Sequence, residues 1–185
     1  MHDFNAAVGA AAAASSPGAQ PVVASIVSGL TLTDWEVQAL ETFAPFIGTT
    51  PRRAIRFVNL YRLIKTSLPP DILERLVGEG GESHVYGALI AQLAIVTGAP
   101  EAAGHFFTRL AEQKAGDSLQ SLRTTLSSDA VFDAYPDAEL VRQILETLQQ
   151  RGANSSGFIG AQFVAGDLQA LALTARRYSF ATPPR

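Results

Sequence analysis

The chain contains no cysteine. Disulfides, thiolate metal sites and cysteine nucleophiles are therefore excluded, and a secreted disulfide scaffold with them. Charge is sparse too: Asp, Glu, Lys and Arg make up 17% of the 185 residues, against about a quarter in ordinary domains. A surface so poor in charge is rich in Ala, Ser, Thr and Gln, or packs partly on something else. Only two lysines occur, Lys65 and Lys114. A phosphate loop needs glycines and then Lys followed by Ser or Thr. Lys65-Thr66 follows Ile64, with no glycine at 52–63, and Lys114 lies between Gln113 and Ala115. No apolar strand ends in an Asp that could hold magnesium. The chain on its own therefore lacks the parts for ATP hydrolysis by the P-loop mechanism.

Long apolar runs are also missing. The longest, Val85 to Ala99, includes Gln92 and falls short of the roughly 20 residues of a membrane-crossing helix. Met1 to Ala14 is Ala-rich but carries Asp3 and no Lys or Arg, unlike a signal peptide. The expectation is a soluble, cytoplasmic protein with one fully buried helix and no membrane span.

What is present builds a core: 47% of residues are hydrophobic. Residues 1–29 are a low-complexity Ala/Ser/Pro stretch that reads as a disordered N-terminal tail or linker. From about Leu30 the pattern is helical. Thr33 and Glu36 have capping-box spacing, followed by Val37, Leu40, Phe43, Ala44 and Ile47, with Pro45 and Gly48 closing the helix. Thr50 and Pro51 open the next, and Phe57, Leu60, Tyr61 and Ile64 form its apolar stripe. Pro69-Pro70 stops it and a short helix is expected over Asp71–Val77, followed by a turn at Gly78, Gly80 and Gly81. The buried helix runs from about Glu82 to Thr97, with Gly98 as its stop and Pro100 as the next start. Phe106, Phe107 and Leu110 mark a core face. Asp117 is a cap candidate for Leu119–Leu126. Pro136 opens a helix carrying Leu140, Ile144, Leu145 and Leu148, ended by Gly152. Asp167 is a cap candidate for a last helix through Ala175. The fold class is all-α, an irregular bundle of about seven or eight helices over residues 30–180.

Charge is unevenly placed. Five of the 14 basic residues, Arg52, Arg53, Arg56, Arg62 and Lys65, fall within 52–65, where there is no acid. The remainder carries nine basic and 17 acidic groups. Arg52 and Arg53 lie in the first turn of their helix, where the macrodipole is already positive, so each is mildly unfavourable unless an anion sits there. Arg56 lies one turn on. A helix start with three guanidinium groups suits a phosphate; the plainer reading pairs them with Asp34, Glu36 and Glu41.

Other chemistry finds little support. His84 and His105 lack metal-ligand partners one turn away, and His2 lies in the tail. The Gly78–Glu82 turn carries two carboxylates that repel anions. Asp129, Asp133 and Asp137 recur every four residues, but Pro136 interrupts a shared helical face, so they read as solvated cap and loop acids. The aromatics Phe43, Phe46, Phe57, Tyr61, Phe106 and Phe107 read as core, and Trp35 as a partly exposed anchor.

The segment Leu30–Leu68 carries Ala44-Pro45-Phe46-Ile47-Gly48, then Thr50-Pro51-Arg52, then Arg56-Phe57-Val58-Asn59-Leu60-Tyr61-Arg62-Leu63-Ile64. It resembles the C-terminal helical region of the KAP family of P-loop NTPases. That family has a Lys before the position of Arg56, where this chain has Ile55, and this chain adds Arg53. Leu93–Pro100 and Ala175–Phe180 resemble the family more loosely. The resemblance implies a non-catalytic lid or sensor module without Walker motifs, partnered by a P-loop core on another chain or domain. It also implies ATP-associated and bacterial defence-like roles. Arg52, Arg53, Arg56, Asn59 and Arg62 are the contact residues to expect, with weak ATP or polyphosphate binding and no tightly held cofactor or metal. The alternative is a free-standing interaction module docking an acidic partner. Nucleic acid fits worst: there is one basic helix on a net-acidic chain without exposed stacking aromatics.

Overall fold

The structure, a computed structural model, describes residues 31–69, 71–73, 85–154 and 163–178. The expected tail over 1–29, most of the helix expected over Asp71–Val77, the glycine turn at 78–81 and the ending at Ser179-Phe180 lie outside the described residues. Among those described, the fold is an all-α bundle. Its elements are α1 (Asp34–Phe43), a 3-10 turn (Ala44–Ile47), α2 (Pro51–Ser67), α3 (Val85–Gly98), α4 (Pro100–Glu112), α5 (Leu119–Ser127), α6 (Ala130–Asp133), α7 (Ala138–Asn154) and α8 (Ala165–Arg176).

The bundle is organised around α3. Every residue from Tyr86 to Val96 is buried, and α1, the 3-10 turn, α2, α4, α7 and α8 all pack against this one helix. A helix apolar on all sides can only be a core element. Gln92, at its middle, is fully buried and donates through Nε2 to the carbonyls of Ala88 and Leu168, at 3.2 and 3.0 Å. That bond ties α3 to α8.

Local start signals are partly as expected. Thr33 caps α1 in a full capping box with Glu36. Thr50 precedes α2 with Pro51 at its first position, but the Thr50 hydroxyl makes no capping bond. Ser118, not Asp117, caps α5 through its hydroxyl; Asp117 turns back to accept from the Lys114 N–H at 2.9 Å. Asp167 is not the cap of α8 but its third residue, and its carboxylate accepts from the Val164 N–H. The helix expected from Pro136 begins at Ala138 and continues through Gly152 to Asn154.

Gly48 has φ of 97°, a backbone region that favours glycine. It turns the chain between the 3-10 turn and α2.

Candidate docking surface on the basic helix

The placement of α2 follows from its apolar stripe. Phe57, Tyr61 and Ile64 are buried, Leu60 is half-buried, and the stripe packs on α3. Lys65 sits at the edge of the same stripe and is buried with it, 1% exposed. It does not belong to the basic surface. Its Nζ donates to Glu36 Oε2 at 2.8 Å and to the Thr31 carbonyl at 2.7 Å.

Glu36 is the centre of this joint. Oε2 also accepts from the Thr33 N–H at 2.8 Å and the Thr33 hydroxyl at 3.1 Å. Oε1 accepts from the Tyr61 hydroxyl. A carboxylate buried to 1% is tolerable only when its lone pairs are met in this way. Burial, reinforced by the Glu36 charge, pushes the Tyr61 phenol far above its ordinary range. The same two causes raise Tyr86 to about 12. Both tyrosines therefore stay neutral, and Tyr61 acts as a donor. The expected pairing of the arginines with Glu36 is thus replaced by a pairing with Lys65 and Tyr61. The sequence holds a signal for this: Lys65 lies one turn beyond Tyr61 and next to Ile64, on the buried side.

The other basic residues face outward. Arg52, Arg53, Arg56 and Asn59 are exposed and Arg62 is half-buried. Helical geometry places Arg52, Arg56 and Asn59 on one face, flanked by Arg62. Arg53 turns aside: its guanidinium lies over Gly48, where a Cβ would meet Nη1 at 2.9 Å. The three arginines are therefore split between two directions. Two apolar residues that the charge pattern passes over share the outward face, Ile55 at 62% and Leu63 at 53% exposure. No acid occurs in the first turn of α2.

A second polar cluster lies on the far part of the bundle. Asp129 caps α6, accepting the N–H groups of Val131 and Phe132 at Oδ1. Its Oδ2 accepts from His105 Nε2 at 2.7 Å and Arg109 Nε at 2.6 Å. The hydrogen bond from His105, then that from Arg109, holds this carboxyl well below its usual range. The expectation of a cap is met for Asp129, but the residue is buried rather than solvated. Asp133 pairs with Arg142. Asp137 reaches out of its own segment: its two oxygens accept the N–H groups of Glu101 and Ala102 at 2.9 Å each. It thus caps α4, whose own cap position is Ala99. All partners of this cluster are structural, and no group of three or more metal-ligating side chains occurs among the described residues. No helix among them is long and apolar enough to cross a membrane.

No protein-family model, no curated protein and no solved structure matches this chain.

Proposed function

We propose that the chain is a non-catalytic helical docking module whose contact surface is the outward face of α2 and whose partner is an acidic protein surface. One observation carries this reading: Arg52, Arg56 and Asn59 are interleaved with the exposed Ile55 and Leu63 on a single helical face. Guanidinium groups around apolar anchors form the composition of a protein interface, where Arg and desolvated apolar side chains supply most of the binding energy. A phosphate cradle has no use for Ile55 or Leu63. The like charge of Arg52 and Arg56 disfavours docking of a basic partner on this face. The resemblance to the KAP helical region makes a P-loop NTPase core the partner to test first.

A phosphate-sensing role is the second reading. It draws on the start of α2, where no acid occupies the first turn and the Thr50 hydroxyl makes no cap bond. Both features leave the positive end of the helix dipole open to an anion.

Titration at low salt with ATP, polyphosphate and an acidic polypeptide separates the two. Under the docking reading, the acidic polypeptide binds, and binding weakens both in Arg52→Gln/Arg56→Gln and in Ile55→Ser/Leu63→Ser. Under the sensor reading, ATP and polyphosphate bind at about millimolar strength, and only the arginine pair matters. Absence of binding to all three by the parent chain would remove both readings.

A further inference from the structure

A shallow apolar groove runs between α1 and α2, with a volume of about 260 Å³. Val37 and Leu40 line it from α1, Ala44 from the 3-10 turn, and Ala54, Phe57 and Val58 from α2; among the described residues Glu41 is the charged one in its lining. Val37 is 39% exposed, so the groove opens to solvent. An apolar cavity of about 150 Å³ accepts a benzene-sized group, so this one has room for more than one aliphatic side chain. Leaving it open exposes apolar surface that a covering segment would bury.

The chain itself supplies a segment of matching chemistry. Leu32 lines the groove, and Thr31 is anchored beside it by the bond from Lys65 Nζ to its carbonyl. The ten residues before Thr31, Pro21 to Leu30, contain no charged side chain. Val22, Val23, Ile26, Val27 and Leu30 recur there at three- and four-residue intervals, the spacing that places apolar groups on one side of a helix. Because that segment is tethered at the groove's edge, its local concentration there is of millimolar order, as for any short linker. An external peptide of similar composition meets no such advantage.

We infer that the groove between α1 and α2 is a docking site for the chain's own segment 22–30. This site is distinct from the outward face of α2, and the inference does not depend on what that face binds. The apolar surface it would bury there is that of Val37 and Val58; Phe57 is already buried.

The absence of cysteine allows a clean test in the full chain. Val58→Cys places a single thiol in the groove, and Leu173→Cys places one on the exposed side of α8. A thiol-reactive maleimide reports how often each is open. Ile26→Asp/Val27→Asp should speed labelling at Val58→Cys by about tenfold, since reactivity scales with the uncovered fraction. The same change should leave Leu173→Cys unaltered. Ile26→Cys combined with Val58→Cys should give an intramolecular disulfide under mild oxidation. Equal labelling of Val58→Cys with and without the aspartates would overturn the inference. So would a disulfide that forms only between chains, because the occupant would then be a second copy.

Discussion

The carbonyl oxygen of Phe46 occupies the space that a side chain on Gly98 would need: a Cβ built on Gly98 meets it at 2.1 Å. The last residue of α3 is thereby pressed against the backbone of the 3-10 turn. The obstacle is backbone, which cannot swing aside as a side-chain tip can. Gly98→Ala should destabilise the fold by about 3 kcal/mol or more, at the upper end of overpacking costs. Gly104, inside α4, has no neighbouring atom within 4 Å of its virtual Cβ. Gly104→Ala should stabilise by up to about 1 kcal/mol, through helix propensity and a less free unfolded chain. Denaturant midpoints of the two variants decide both statements.

The buried pair of Glu36 and Lys65 should behave as a unit. Glu36→Gln leaves the Lys65 ammonium buried without an anion and should cost about 3–5 kcal/mol. Glu36→Gln/Lys65→Met should cost clearly less than the sum of the single changes, because neither orphaned charge remains. A double-mutant cycle in urea measures the difference. Simple addition of the two effects would show that the pair is not coupled.

The depressed acidity of Asp129 sets a pH dependence. Its carboxyl titrates below the ordinary 3.8 in the folded chain because of His105 and Arg109. A lowered folded value means stability that is fully present above the unfolded value and lost as pH falls through the folded one. Stability should therefore drop below about pH 4. Asp129→Asn should flatten that acid limb as well as lower stability at neutral pH. Thermal midpoints of both proteins from pH 7 to pH 2 provide the comparison.

The two sides of α2 should respond very differently to truncation. Phe57→Ala opens the buried stripe and should cost about 3–5 kcal/mol. Arg53→Ala, at an exposed position, should cost less than about 1 kcal/mol. Similar losses in the two variants would show that Arg53 holds the Gly48 turn in place.

Purified chain is expected to show no magnesium-dependent ATP turnover, because neither a phosphate loop nor a magnesium-holding acid is encoded. A coupled phosphate-release assay on the chain and on Arg52→Gln/Arg56→Gln checks this. Turnover that copurifies with the chain and survives the double change would contradict the docking reading at its root.

Much of the fold was legible because its signals are local. The capping box at Thr33 and Glu36, the stripe of Phe57, Tyr61 and Ile64, and the punctuation of Gly98 and Pro100 each lie within a few residues. The apolar run of α3, interrupted only by Gln92 between Tyr86 and Val96, announces a buried helix by itself. The caps expected at Asp117 and Asp167 differ because a neighbouring residue takes the cap position in each helix, Ser118 in α5 and Val164 in α8. Asp167 itself lies inside the first turn of α8. What the sequence hid are pairings set by docking rather than by spacing. Glu36 and Lys65 lie 29 residues apart, His105 and Asp129 24, and Asp137 caps a helix that begins 37 residues earlier. On α2, net charge alone does not separate the faces; the helical period places Lys65 on the buried side and Ile55 and Leu63 on the outward one.

The all-round burial of α3 bears on how the molecule opens. The helices before it, and α4, α7 and α8 after it, all complete their cores against this one segment. Separating either group strips one side of α3 and exposes an apolar helix to water. Partial unfolding therefore has no stable stopping point, and the bundle should lose structure in one cooperative step. The amide hydrogens of Leu89 to Ile95 should then exchange with solvent only when the whole molecule opens, at a free energy equal to that of global unfolding.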